Sequence, residues 1–362
     1  MRIAFVIPSL GAGGAERVAT RLANEWDANG HDVTLATFDT PGTEPFFALD
    51  TGVALRELAV PTSNGLKAKL GTNIARVSRL RSALRELRPD VVVAFMTDAN
   101  VIALWASRGL GMPVVISERN QPDRPGLSRA HKLARRLTYP MASALVVQTD
   151  AIAAWGRAHF RIPVHVIPNP VRLASGDVRR EDGEVQWLAS LGRLAHQKGF
   201  DILIKSFAAI AGRHPKWRLV IYGEGPDRPL LERLSADSGW PDRILLPGLT
   251  KDAAQALSKT SLFVLPSRFE GYPNALLEAL AQGLPVLATS CPGGTVEILG
   301  NGAHGMLVPA NDVAAMTTAL DAMLSAPDLR DAYAWKARRA VVGLDVATVA
   351  KRWLDLFAGL KG

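Results

Sequence analysis

Residues 262–278, LFVLPSRFEGYPNALLE, constrain the fold more tightly than any other stretch of the chain. Residues 262–265 are an uninterrupted apolar run, as expected of a strand buried on both faces of a parallel sheet. Pro266 ends the run, and residues 267–271 form a polar turn that carries Glu270. Pro273 suits a first helical turn, where its missing N–H would have no partner anyway. Residues 275–280 propagate a helix with Glu278 on its second turn. The order is therefore strand, tight loop and helix start, with one carboxylate in the loop and one in the helix.

Free backbone N–H groups at a helix start, with the positive end of the dipole behind them, favour phosphate. A carboxylate only accepts hydrogen bonds, so it suits hydroxyl-rich partners such as a ribose or a hexose. Two glutamates eight residues apart also fit an ordinary surface loop and helix. Their surroundings are more specific: Ala281, Gly283, Pro285 and Val286 follow as Ala-x-Gly-x-Pro-Val. Glu-x7-Glu in this setting resembles the donor motif of the retaining glycosyltransferases of family GT4. The resemblance implies an α/β GT-B fold, two doubly wound Rossmann-like domains facing across a cleft.

At 362 residues the chain is long for one domain, and two is the natural expectation. The single cysteine, Cys291, excludes an internal disulfide and fits a reducing compartment. The first apolar run, MRIAFVIPSL, is too short for a signal sequence and reads as a strand. No run reaches the ~20 apolar residues of a membrane span. The expectation is a cytoplasmic protein, either soluble or attached to a membrane only peripherally, at the inner leaflet. Net charge is +8, and it is uneven: residues 1–170 hold 20 Lys+Arg against 14 Asp+Glu, the rest 22 against 20. The first half is thus expected to meet an anionic partner.

In chain order, residues 3–7 read as a strand, 9–14 as a glycine-rich turn and 15–26 as a helix. Gly11 and Gly13 begin a dinucleotide fingerprint, but Glu16 stands where the third glycine belongs. The loop reads equally as a tight turn or, through the resemblance of GAGGAER to the first loop of GT4 enzymes, as a donor or acceptor loop with Gly13 and Gly14 at its centre. Residues 33–38 are a second strand, and residues 40–71 look irregular. Between 70 and 88 an amphipathic helix carries Val77, Leu80, Leu84 and Leu87 on one stripe. Arg81, Arg85 and Arg88 flank it, and Lys67, Lys69, Arg76 and Arg79 add positive charge against one acid, Glu86. Such a run is either a solvated helix face or a cationic surface for a lipid diphosphate or anionic headgroups. Within GT4 it resembles enzymes that extend polyprenyl-diphosphate-linked oligosaccharides.

Residues 91–95 and 113–117 are further strands. The turns after them, 96–98 and 118–120, are expected at the carboxyl ends of a parallel sheet, where ligands bind. Many GT4 enzymes have a histidine near the second turn; this chain has Arg119, which fits a diphosphate, an acceptor hydroxyl, or a surface ion pair with Glu118 or Asp123. Residues 131–139, HKLARRLTY, are basic and helical, and 143–148 form a strand. Ile167-Pro168-Asn169-Pro170-Val171 reads as the crossing between domains.

The second half starts over with a strand at 185–191. Gly192, Arg193 and Lys198 follow. This is not a Walker A loop, because Gln197 rather than glycine precedes the lysine. The spacing matches the Gly-Arg-x4-Lys signature of GT4. An arginine offers a planar fork to phosphate oxygens and a lysine a mobile point charge. Strands are expected at 218–222, 244–246 and 286–289. Gly223 marks a turn near bound nucleotide, and Gly248 and Leu249 a backbone contact to its base. Cys291 before Pro-Gly-Gly reads as a small turn residue, since no histidine nearby in sequence would activate it. Asp312 opens a helical region, and 347–360 form a last helix with Trp353 and Phe357.

The domains implied are 1–170, acceptor-binding, with helix 347–362 packed back onto it, and 171–346, which binds the nucleotide sugar. The seven histidines are scattered, and no Asp-x-Asp occurs. No metal or other cofactor is therefore expected, and Arg193, Lys198 and helix amides take the place of a divalent ion. The resemblance implies a retaining enzyme that moves a hexose or N-acetylhexosamine from a nucleoside diphosphate, UDP by preference, to a glycan or glycolipid acceptor. Glu270 would bind the transferred sugar, aided by Gly271, Tyr272, Pro273, Asn274, Ala275 and Leu276, and Glu278 would hold the ribose. Two other readings stand beside it: an NAD-dependent oxidoreductase using the first glycine loop, and a nucleotide-binding protein without catalysis. A nucleic-acid partner is not expected, because no aromatics interleave with the basic run for base stacking.

Overall fold

Short apolar runs separated by amphipathic helices force a layered α/β arrangement, because each strand buries both faces only when helices cover the sheet on both sides. The computed structural model describes residues 1–60, 66–122, 128–174 and 184–360. It divides into two units, Met1–Pro170 with Val346–Gly362, and Val171–Asp345.

In the first unit the order is β1 (Arg2–Val6), α1 (Gly14–Ala28), β2 (Asp32–Thr37), β3 (Ala54–Glu57), α2 (Leu66–Leu87), β4 (Val91–Phe95), α3 (Thr97–Ser107), β5 (Val114–Ser117), α4 (Arg129–Thr138), β6 (Ala144–Val147), α5 (Asp150–His159) and β7 (Val164–Val166). The seven strands are parallel in the order β3-β2-β1-β4-β5-β6-β7. Alternation along β1 sends Ile3 and Phe5 into one core and Ala4 and Val6 into the other. The second unit holds β8 (Gln186–Leu191), α6 (Phe200–Ile210), β9 (Trp217–Tyr222), α7 (Arg228–Ala236), β10 (Ile244–Gly248), α8 (Ala253–Leu257), β11 (Thr260–Leu265), α9 (Asn274–Ala281), β12 (Val286–Thr289), α10 (Thr295–Ile298), β13 (Met306–Val308), α11 (Val313–Ser325) and α12 (Pro327–Ala337). Its parallel sheet runs β10-β9-β8-β11-β12-β13. The last helix, α13 (Val346–Gly359), belongs to the first unit. Trp353 and Phe357 are buried there with Phe5, Trp26 and Phe95, and the Trp26 indole N–H donates to the Ala350 carbonyl at 3.2 Å.

Both sheets are doubly wound, as expected. Three strands went unread in the sequence: β3, β7 and β13. All three are edge strands of three or four residues. An edge strand is partly exposed, so it lacks the continuous apolar run that marks a central one. β3 lies inside the stretch 40–71 that looks irregular, and α2 begins at Leu66 rather than near 70. No helix among the described residues is long and apolar enough to cross a membrane.

Candidate active site

In an open parallel sheet, ligands bind beyond the carboxyl ends of the strands where the winding reverses. In the second unit that point lies between β8 and β11. The loop after β8 carries Arg193 and Lys198, and the loop after β11 carries Glu270. The topology therefore brings together residues 72 positions apart: the Lys198 ammonium donates to Glu270 Oε1 at 2.6 Å. The Ser267 hydroxyl donates to the same oxygen, also at 2.6 Å. Glu270 is nearly buried. With both bonds on Oε1, Oε2 is the acceptor left for a ligand among the described residues.

Backbone and side-chain hydrogen bonds hold the two loops together. The Arg268 N–H donates to the Gln197 carbonyl at 2.8 Å, and the Gln197 amide to the Phe269 carbonyl at 2.9 Å. The Arg268 guanidinium pairs with Asp201 at 2.8 and 2.9 Å, holding Asp201 below the usual carboxylate range against the opposing effect of burial. Gly199 must be glycine here: its φ is +65°, and a Cβ would lie 2.1 Å from the Pro266 carbonyl oxygen. A third loop, after β12, closes on the loop after β11. The Glu270 N–H donates to the Pro292 carbonyl at 2.9 Å and the Gly294 N–H to the Gly271 carbonyl at 2.8 Å. Gly293, with φ +122°, leaves no room for a Cβ, which would lie 1.8 Å from the Glu270 carbonyl oxygen.

The helix after Glu270 begins as an anion site should. Pro273 precedes α9 and makes no side-chain cap, and its carbonyl accepts from the Leu276 and Leu277 N–H groups at 3.1 and 3.3 Å. Gly271 and Leu276 are buried, Tyr272, Asn274 and Ala275 half-buried, and Glu278 buried on the second turn of α9. Arg193 is exposed. Gly223 follows β9 and Gly248 ends β10, and the Gly223 N–H donates to the Gly248 carbonyl at 2.8 Å. Leu249 is half exposed beside them. Cys291 is buried, its thiol pushed up by that burial, 3.6 Å from the Thr295 hydroxyl.

The first unit places its candidates differently. Gly13 precedes α1 and Gly14 opens it, and the Glu16 carboxylate rests against Gly13. Burial holds the Glu16 carboxyl above its ordinary range. Arg119 is buried rather than on the surface, and it does not pair with Glu118. Its guanidinium lies over the Phe95 ring, 4.3 Å from the centroid, and donates to Asn169 Oδ1 and, at 3.4 Å, to the Ser117 hydroxyl. Burial lowers its pKa to about 9. Glu118 instead accepts from Tyr139 and from Thr97 at 3.1 and 3.2 Å, with Arg135 at 3.7 Å. This buried polar network had no sequence signal, since its members lie 21 or more residues apart or on a different element. Asp123 and the side chains of Lys67 and Lys69 lie outside the described residues.

The basic helix α2 is only partly available for a ligand. The Arg81 guanidinium donates to the carbonyls of Ala106 and Arg108, at 2.9 and 2.7 Å, where α3 ends. This is a favourable place for a cation. Arg85 and Arg88 are exposed, and Glu86 pairs with Arg56 at 2.7 Å. Among the described residues, no group of three or more His, Cys, Asp or Glu is arranged to hold a metal ion.

Comparison with solved structures and curated sequences fits this geometry. Sucrose-phosphate synthase from Thermosynechococcus elongatus superposes with a TM-score of 0.85 at 19% identity, covering 99% of this chain and 98% of that one. Anabaena HepE, solved in complex with UDP, superposes with a TM-score of 0.79 at 19% identity, covering 99% and 100%. A Campylobacter jejuni α-1,4-N-acetyl-D-galactosaminyltransferase that acts on an undecaprenol-diphosphate-linked oligosaccharide is 26% identical over 365 residues, 100% of this chain and 99% of the relative. The fold and the relatives define a glycosyltransferase with the GT-B fold. Residues 12–175 match the model described as Glycosyltransferase Family 4, and residues 186–326 the one described as Glycosyl transferases group 1. The two matches together take in most of the chain, which carries a family 4 and a group 1 glycosyltransferase domain.

Proposed function

We propose that the protein is a retaining, metal-independent glycosyltransferase. It moves a hexose or N-acetylhexosamine from a nucleoside-diphosphate sugar, UDP-linked by preference, to a hydroxyl of a lipid-diphosphate-linked glycan in cell-surface polysaccharide or glycoprotein-glycan assembly. The observation that carries this reading is the Lys198–Glu270 pair at the reversal point of the second sheet, beside the helix start of α9. The UDP complex of a structural neighbour and the lipid-linked acceptor of the Campylobacter relative support the choice of donor and acceptor.

The residues divide the work as follows. The first N–H groups of α9 receive the diphosphate, and Glu278 the ribose hydroxyls. Lys198 and Arg193 neutralise the charge that grows on the departing diphosphate. Such electrostatic stabilisation is commonly the largest single contribution to catalysis. Glu270, fixed by Lys198 and Ser267 through one oxygen, offers the other to a hydroxyl of the transferred sugar. The acceptor hydroxyl attacks the anomeric carbon on the face that the diphosphate leaves, and its proton passes to the departing phosphate oxygen. No protein base is assigned. The first unit takes the acceptor, with the loops of Gly13, Gly14 and Arg119 and the exposed Arg85 and Arg88 as its candidate contacts. The enzyme would work at the cytoplasmic membrane face.

A panel of UDP-, GDP- and ADP-sugars tests this on purified protein in EDTA, read by thermal shift and by slow hydrolysis. UDP-sugars should raise Tm and release UDP. A larger response to another nucleotide would reassign the donor, and a response that needs a divalent ion would overturn metal independence. Proton NMR of the glycosylated product should show the anomeric configuration of the donor; the opposite configuration would exclude retention.

A further inference from the structure

The helix α4 is built inside out. An amphipathic helix on a soluble domain turns its leucines inward and its arginines outward. Here Arg135 and Thr138 face inward, at 4% and 2% exposure, while Leu133 and Leu137 are 57% and 63% exposed. Met141, in the turn that follows, is 37% exposed. Leu133 and Leu137 are four residues apart on α4 and so share one outward face, and exposed Met141 lies in the turn just beyond it. Arg129, Lys132 and Arg136 run beside that face, all exposed. None of the three pairs with a carboxylate among the described residues, and the helix itself contains no acid.

The inward face explains why the inversion is tolerated. Arg135 donates to the Pro122 carbonyl at 2.9 Å and faces Glu118 at 3.7 Å. The N-terminus is pinned as well: His131 bridges Asp98 Oδ1 at 3.0 Å and the Ser128 hydroxyl at 2.6 Å. The buried polar network therefore fixes the helix rotation and leaves the leucines outside. Single exposed leucines are ordinary, but a pair of them on one helix face, bordered on one side by three cations with no carboxylate partner among the described residues, is not.

We infer that this face of α4 docks on an anionic lipid bilayer. Leu133, Leu137 and Met141 would enter the boundary between headgroups and acyl chains, with Arg129, Lys132 and Arg136 on the phosphates. The charge decides the occupant. Apolar residues alone would fit a protein surface equally well, whereas an apolar stripe bordered by cations without acids matches the interface of an anionic membrane. The underside of α4 contacts Glu118, next to Arg119 on the loop after β5. A docked bilayer would thus lie near the crevice end of the first sheet. The surface is distinct from the arginines of α2. It rests on the proposed lipid-linked acceptor only for its purpose.

Vesicle co-sedimentation of the full chain tests this, with phosphatidylcholine vesicles made with and without phosphatidylglycerol. The wild type should bind the phosphatidylglycerol vesicles and lose most of that binding in high salt. The double variants Leu133→Ser/Leu137→Ser and Lys132→Glu/Arg136→Glu should each weaken it about tenfold or more. UDP-induced thermal shift, measured on the same preparations, should be unchanged, which shows folding and an intact donor unit. Wild-type protein that ignores both vesicle types would overturn the inference, as would double variants that bind like wild type. So would loss of self-association in the leucine variant with no change in vesicle binding, which would make the face a protein interface. A UDP shift without vesicle binding removes the docking surface and leaves the proposed function; vesicle binding without a UDP shift does the reverse.

Discussion

Two single residues test how tightly the site is built. Gly293 occupies φ +122°, and a Cβ there would overlap the carbonyl oxygen of Glu270. Because that neighbour is backbone, nothing flexible can yield. Gly293→Ala should cost about 1–3 kcal/mol from the backbone conformation alone, with further loss from the collision. The check is a urea midpoint, and an unchanged midpoint would show that the loop after β12 relaxes freely. Glu16 carries a pH dependence. Its carboxyl is held above its ordinary value of 4.5 chiefly by burial, opposed by hydrogen bonds from its own backbone and Ser9. A raised value means that the folded chain holds this proton more tightly than the unfolded one. The stability this group contributes is complete below 4.5 and is lost as the pH rises through the raised value. Glu16→Gln removes the ionised form. Its Tm should exceed that of wild type at neutral pH, and the gap should close on acidification. A gap that stays constant with pH would assign the effect to something other than ionisation.

At the level of elements, the sequence reveals what is central and hides what is peripheral. Strands such as β4 and β11 are apolar throughout because both faces are covered, and this can be read directly. β3, reading ALRE, is exposed on alternate residues and carries no such signal. The presence of α4 was legible, with its start read two residues late, but its rotation was not. Nothing in HKLARRLTY says that Arg135 turns inward, since that depends on Glu118, seventeen residues earlier and on another element. Arg81 is similar: its spacing places it beside the other arginines of α2, but the end of α3 takes its hydrogen bonds. The terminal helix shows what tertiary packing adds. Trp353 is 1% exposed among the aromatic rings of Phe95, Trp26 and Phe357. Trp353→Ala should therefore destabilise by about 3–5 kcal/mol, seen as a lower denaturation midpoint. A loss below about 1 kcal/mol would mean that α13 packs less firmly than its burial implies.

For the whole molecule, the two doubly wound units followed from the stretches after β1 and β8, because both halves begin with strand, glycine turn and helix. The pairing of Lys198 with Glu270 could not be read from spacing. It follows from strand order, which sets β8 against β11 and so joins two loops 72 residues apart. The central claim is that this junction neutralises a departing nucleoside diphosphate. The measurement that tests it most directly is UDP release from a UDP-sugar in EDTA by wild type, Arg193→Ala and Lys198→Ala. Arg193 is exposed, so its removal leaves folding untouched; Lys198→Ala leaves Glu270 buried without its cation, so its Tm is recorded alongside. The account predicts that Arg193→Ala lowers kcat about 10²–10³-fold at unchanged Tm, with Lys198→Ala at least as impaired while still folded. Turnover at the wild-type rate in both folded variants would contradict it.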